Sequence, residues 1–150
     1  MFKSPDWVQA LALTPAQELI MVKQFRVGSK TVCLETPGGV LEPGEDPITG
    51  AMRELQEETG FIGHDPVKLF SCYPNPALQT NKVHYILLKN CQPIGKINWD
   101  PYEDLQTELI PLSSLDNLIE SGSIDHCIAL AGLLYLRNYD ISDLFSQKRR

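Results

Sequence analysis

Apolar positions in the first half of the chain recur at strand-like spacing and are broken every few residues by turn formers. Trp7 to Leu13 alternates loosely, Thr14-Pro15-Ala16-Gln17 reads as a turn, and Leu19 to Val27 reads as a second strand. The pattern predicts that these two strands form a hairpin. Thr31 to Glu35 is a third strand. The stretch from Pro37-Gly38-Gly39 through Glu42-Pro43-Gly44-Glu45-Asp46 holds too many breakers for regular structure and is expected to be an irregular loop. A helix is predicted over Pro47 to Thr59, with Asp46 as its cap, Pro47 in its first turn and Gly60 closing it in the left-handed region. Val67 to Cys72, Val83 to Lys89 and Leu105 to Ile110 read as further strands, with Tyr73-Pro74-Asn75-Pro76 as a loop. Two helices, Leu112 to Ser121 and Ile124 to Asn138, finish the chain. Strands interrupted by one early helix and followed by two late ones indicate a mixed α/β layer fold.

The early helix carries the chemistry. Successive helical residues turn by about 100°, so Glu54, Glu57 and Glu58 share one face. Ile48, Met52 and Leu55 fall on another, suited to packing on a sheet. Arg53 and Glu57 are four apart, close enough to pair. Three carboxylates on one face repel one another, and Arg53 is the only nearby cation of the helix. A solvated acidic face is the bland explanation. A cluster neutralised by divalent cations is the sharper one. With oxygen ligands and no His or Cys beside them, Mg²⁺ or Mn²⁺ suits better than zinc.

The chain has 150 residues, enough for one domain over 1–150 with a single core. Hydrophobic residues make up 43% and charged residues 21%, so a folded globular protein is expected. Its net charge of −6 has the wrong sign for a protein that coats nucleic acid, and no stable nucleic-acid partner is expected. The longest nearly unbroken apolar run, Cys127 to Leu136, is too short to cross a bilayer, and the start of the chain lacks an apolar signal core. These features predict a cytoplasmic protein without membrane partners. Cys33, Cys72, Cys91 and Cys127 form no C-x-x-C pair and are expected to be reduced and buried. His64, His84 and His126 form no spaced ligand set and are read as structural. Phe25, Tyr73 and Trp99 are read as core or interface aromatics, with stacking on a base as the alternative.

From Gly39 the chain runs Gly, five residues, Glu45, seven residues, then Arg53-Glu54-Leu55-x-Glu57-Glu58-x-Gly60-Phe61. This matches every specified position of the Nudix box, and the chain resembles a Nudix hydrolase. Leu34-Glu35-Thr36-Pro37-Gly38-Gly39, Tyr73-Pro74-Asn75-Pro76-Ala77 and Ile119 to His126 extend the resemblance to the branch of ADP-ribose and nucleoside-diphosphate-sugar pyrophosphatases.

The resemblance implies an α/β (α+β) fold, an α/β/α sandwich with a mixed β-sheet and a loop–helix–loop motif. It implies metal-dependent hydrolysis of a nucleoside diphosphate sugar, with Mg²⁺ as cofactor and Mn²⁺ as substitute. Glu54, Glu57 and Glu58 would be metal ligands, joined by a backbone carbonyl of the glycine turn at Gly38. Glu57, Glu58 and Glu103 would be catalytic, with Asp104 and Glu108 as alternatives to Glu103. Arg26, Gly39 and Pro76 would bind substrate, and Glu45 and Arg53 would support the loop. Larger relatives carry an extra front region that swaps between subunits, whereas this sequence enters the core by Trp7, so such a swap is not expected, while a homodimer remains the expectation. Two other functions stay open: a nucleoside triphosphate or RNA 5′-end hydrolase, and a non-catalytic ADP-ribose sensor.

Overall fold

Leu13 marks the point where the chain leaves one sheet for another. A computed structural model of the chain describes residues 1–99 and 104–139. Strand β1 (Trp7–Ala12) lies between β4 (Gly38–Val40), antiparallel to it, and β6 (Val83–Gln92), parallel to it; β5 (Ile62–Cys72) closes that sheet antiparallel to β6. Strand β2 (Glu18–Arg26) belongs to a second, three-stranded sheet, between β3 (Thr31–Glu35) and β7 (Leu105–Pro111). The expected hairpin of the first two strands therefore does not form. Only the bridge of Leu13 to Leu19 joins them, because the β1 backbone is already paired on both edges.

The alternation of β1 explains the layers. Val8, Ala10 and Ala12 face a core that includes Ala51 and Leu55 of helix α1 (Pro47–Thr59), whereas Leu11 and Leu13 face a core with Ala129, Leu133 and Leu136 of helix α3 (Cys127–Arg137). Ile86 and Leu88 of β6 join the first core and Leu87 the second. Side chains of opposite parity thus hold helices on both faces of the mixed sheet, which makes the α/β/α sandwich.

Helix α1 is built as its ends predict. Asp46 Oδ2 accepts from the N–H groups of Ile48 and Thr49, at 2.9 and 3.3 Å, and Gly60 takes φ 73° and donates to the Gln56 carbonyl. Elsewhere the elements shift. Gly38 to Val40 is a short strand where a loop is expected, since its backbone completes the β1 edge. β5 begins at Ile62, five residues early, and accommodates Asp65 and Pro66 through register shifts. The stretch from Leu112 splits into a 3₁₀ turn (Leu112–Ser114) and helix α2 (Leu115–Glu120), and α3 starts at Cys127, with His126 as its cap, rather than at Ile124.

The cysteines also differ from expectation. Cys33 and Cys91 are buried, and burial pushes the Cys91 thiol up to about 12; Cys72 is half-buried and Cys127 exposed. Among the described residues no helix is long and apolar enough to cross a membrane.

Candidate functional site

A cavity of about 830 Å³ opens where the glycine turn, α1, β1, β2 and the start of α3 converge. Its floor is set by two backbones in close approach. A Cβ on Gly38 would lie 2.2 Å from the Val8 carbonyl oxygen, and one on Gly39 would lie 2.5 Å from Glu54 Oε1. The pair of glycines therefore lets β4 join β1 while the Glu54 carboxylate sits directly against the turn.

Glu54, Glu57 and Glu58 all line this cavity from α1. Glu58 is buried, and its Oε2 accepts the Gly38 N–H at 3.0 Å. Arg53 Nη1 donates to Glu54 Oε1 and Glu57 Oε2, each at 2.9 Å. The rest of its guanidinium meets Glu45 and the Val40 carbonyl. The Glu45 pairing raises the pKa of Arg53 further, so its charge is permanent, and the same hydrogen bonds hold the Glu45 carboxyl below its ordinary value against the opposing effect of burial. One guanidinium thus faces three carboxylates, those of Glu45, Glu54 and Glu57. That imbalance and a donor set made only of oxygens suit the chemistry of a hard divalent cation, although among the described residues no three acidic, His or Cys side chains are gathered into a ready-made ligand cage. Glu57 is the most open of the three, its side chain 33% exposed against 12% for Glu54.

Arg26 forms another part of the lining. Its Nε and Nη2 clamp the buried Glu35 at 2.6 and 2.7 Å, and this pairing raises its pKa. The bidentate bond fixes the plane of the guanidinium inside the cavity. Gly38 and Gly39 are in the lining as well; Pro76 is exposed on the β5–β6 loop and is not among the residues around this cavity. Glu103 lies outside the described residues. Asp104 is exposed, and Glu108 is paired to Lys23 at 2.8 Å.

Several lining residues were not singled out by sequence. The aromatic in the cavity is Trp7, while Phe25 and Tyr73 are largely exposed elsewhere. Trp99 donates its indole N–H to the Glu58 carbonyl, and the Asn98 N–H donates to the Glu57 carbonyl, so this segment satisfies the open carbonyls at the end of α1. Gln9, Gln24 and His126 complete the polar lining. Gln9 and Gln24 were legible as amides placed inside otherwise apolar strands; His126 had no such mark.

A NUDIX domain profile matches residues 5–127. The chain is 32% identical over 136 residues to the ADP-ribose pyrophosphatase of Bacillus subtilis (strain 168), covering 90% of this chain and 74% of that protein. It is 36% identical over 87 residues to the ADP-ribose pyrophosphatase of Saccharomyces cerevisiae, covering 53% of this chain and only 38% of the yeast protein. A crystal structure of an ADP compounds hydrolase superposes with a TM-score of 0.83 at 23% identity, over 92% of this chain and 74% of that one, which shows a shared fold. With the box glutamates, the sandwich and these matches in agreement, the chain belongs to the Nudix family, in the branch of the ADP-ribose pyrophosphatases.

Proposed function

We propose that this protein hydrolyses the diphosphate bond of a nucleoside diphosphate sugar of the ADP-ribose type. The products would be a nucleoside monophosphate and a sugar phosphate. The carrying observation is the shared cavity, in which three box carboxylates on α1 and the fixed guanidinium of Arg26 line one space. Glu54, Glu57 and Glu58, with the Gly38 carbonyl, would hold Mg²⁺, or Mn²⁺ in its place. When bound, the metal would withdraw charge from the phosphoryl oxygens and acidify a water molecule.

This chain's own residues supply the rest. Arg26, its Nε and Nη2 already paired to Glu35, would present its remaining guanidinium N–H groups to the diphosphate, with Gly39 allowing close backbone approach. Trp7 offers an aromatic face at the cavity wall for the base. The water oxygen bonds to one phosphorus, the bridging P–O bond breaks, and the departing phosphate keeps the bridging oxygen. The water proton passes to a carboxylate base, for which Glu57, the most open of the three helix carboxylates, and Glu103 are the candidates. Pro76 belongs to this reading only as a contact brought by a second subunit. A homodimer is proposed, and Phe25 and Val32, exposed and directly opposed on β2 and β3, offer it an apolar face.

The test is a hydrolysis panel of ADP-ribose, ADP-glucose, GDP-mannose, a dinucleoside polyphosphate and nucleoside triphosphates, each with Mg²⁺, Mn²⁺ or chelator. Chelator-sensitive cleavage of a nucleotide sugar is expected. Preference for triphosphates would overturn the substrate class, and binding of ADP-ribose without cleavage would overturn the enzymatic reading.

A further inference from the structure

His126 stands where α3 meets the cavity, and both of its ring nitrogens have defined surroundings. Nδ1 accepts the Ala129 N–H at 3.4 Å, as the side-chain cap of α3. A backbone N–H can only donate, so Nδ1 is the bare nitrogen and the neutral ring carries its proton on Nε2. Nε2 is 3.6 Å from Glu35 Oε2, beyond hydrogen-bond distance. Both Glu35 oxygens already accept from Arg26 at 2.6 and 2.7 Å. Among the described residues Nε2–H has no nearer acceptor, and the ring lines the cavity with its side chain only 23% exposed.

The start of α3 is also held in place. The Tyr85 hydroxyl donates to the Ile128 carbonyl at 2.9 Å, and Gly132 lets α3 press on the Tyr85 ring, where a Cβ would come within 2.8 Å. Tyr85 in turn stacks on Phe70 at 4.3 Å. These contacts fix the start of α3, and with it His126, relative to the sheet that carries the rest of the site.

We propose that His126 is a substrate-binding residue whose Nε2–H donates to a diphosphate oxygen beside Arg26. The two side chains reach the same Glu35 carboxylate, so their donors stand side by side, and Glu35 neutralises the guanidinium while leaving Nε2–H to the ligand. His126 is not a proton shuttle: taking a second proton at Nδ1 would break the cap. It is a positioned donor, and its role rests on the diphosphate-hydrolase reading above.

Two substitutions separate this role from capping. His126→Asn keeps a short acceptor for the Ala129 N–H, as a favoured cap residue, but ends before the position of Nε2. His126→Gln carries an amide N–H out to that position and is the poorer cap. The expected result is that His126→Asn keeps the melting temperature but raises KM for ADP-ribose and ADP-glucose alike by about tenfold, with kcat within about twofold, as for loss of one charge-assisted hydrogen bond. His126→Gln melts earlier yet restores KM. If KM instead follows the melting temperature, or does not change in His126→Asn, the residue only caps α3 and the proposal falls. An effect on one sugar alone would move the contact to the sugar and overturn it as well.

Calorimetric binding of ADP-ribose in chelator gives a readout independent of turnover. Wild-type binding in chelator with no cleavage once Mg²⁺ or Mn²⁺ is restored would remove the hydrolase reading and leave His126 to be judged on the tenfold loss of affinity. Absence of wild-type binding and cleavage would end both.

Discussion

Arg53 meets Glu45 side-on, with Nε 2.9 Å from Oε1 and Nη2 3.0 Å from Oε2. Glu45 also accepts the Glu42 N–H at 3.0 Å, so the pair fastens the loop before α1 to the face that carries Glu54 and Glu57. The box Glu and box Arg are thus a brace, and the remaining Arg53 nitrogen aims the two carboxylates.

Glu45→Gln tests that brace through pH. The Glu45 carboxyl is held below its ordinary value of 4.5, chiefly by the Arg53 hydrogen bonds and despite burial. The unfolded chain therefore takes up this proton at a higher pH than the folded one. Its stabilisation is complete above about pH 4.5 and is lost as pH falls through the lower folded value. The variant is expected to be less stable at pH 7 by about 1–2 kcal/mol, with the gap closing in acid. Denaturant melts of both proteins from pH 7 to pH 3 measure it. A gap independent of pH would mean that the carboxylate charge is not what the brace uses.

Gly39→Ala tests the close approach at the cavity floor. The added Cβ would meet Glu54 Oε1 at 2.5 Å and its Cδ at 2.7 Å, so the carboxylate has to move. Overpacking of this kind costs about 1–3 kcal/mol. With Glu54 as a ligand of the proposed metal, its displacement by a few tenths of an ångström should lower turnover at least about tenfold, with a higher metal concentration needed for half-maximal rate. Metal titration of the rate checks this, and an unchanged titration would detach Glu54 from the metal site.

The wall formed by Pro5 and Trp7 depends on Asp6, which lies between them. Asp6 Oδ2 is 2.9 Å from His84 Nε2, Asp6 Oδ1 accepts the Lys82 N–H at 2.8 Å, and His84 Nδ1 is 2.7 Å from Ser71 Oγ. Burial works to raise the Asp6 pKa, but the Lys82 and His84 hydrogen bonds outweigh it, and it remains ionised below the ordinary range. Asp6→Ala should loosen the wall, raising KM for nucleotide sugars several-fold with little change in kcat. Equal losses in both would place Asp6 closer to the chemistry than this network does.

How much of this was legible in the sequence depended on the kind of interaction involved. Helix α1 was readable to its ends because Asp46, Pro47 and Gly60 act through local backbone geometry. The box residues were readable because their spacing is itself the signal. The pairing of β1 was not, since its partners β4 and β6 lie far along the chain, and a turn formed by Thr14 to Gln17 suits a change of sheet as well as a hairpin. Trp7 and His126 were missed for a related reason. Nothing beside them in sequence shows that β1 and the α3 cap meet across one cavity; only the fold brings them together. The exposed Cys127 shows the same limit, as an apolar run does not reveal which side of its helix faces outward.

Glu58→Gln bears most directly on the catalytic reading. Glu58 is buried, its Oε2 accepts the Gly38 N–H, and its own carbonyl accepts from Trp99. The amide keeps the shape and an oxygen for Gly38, and the helix backbone keeps Trp99, so fold stability should stay within about 1 kcal/mol of wild type. What the variant loses is the negative charge toward the proposed metal. Turnover should fall at least about a hundredfold, the scale of a removed catalytic group, while ADP-ribose affinity measured in chelator is unchanged. Single-turnover rates with saturating Mg²⁺, alongside that affinity, separate the two effects. Near-normal turnover would remove Glu58 from the metal set and leave Glu54 and Glu57 to hold it. A loss of affinity in chelator would instead mean that Glu58 shapes the glycine turn through Gly38 and acts on substrate rather than on metal.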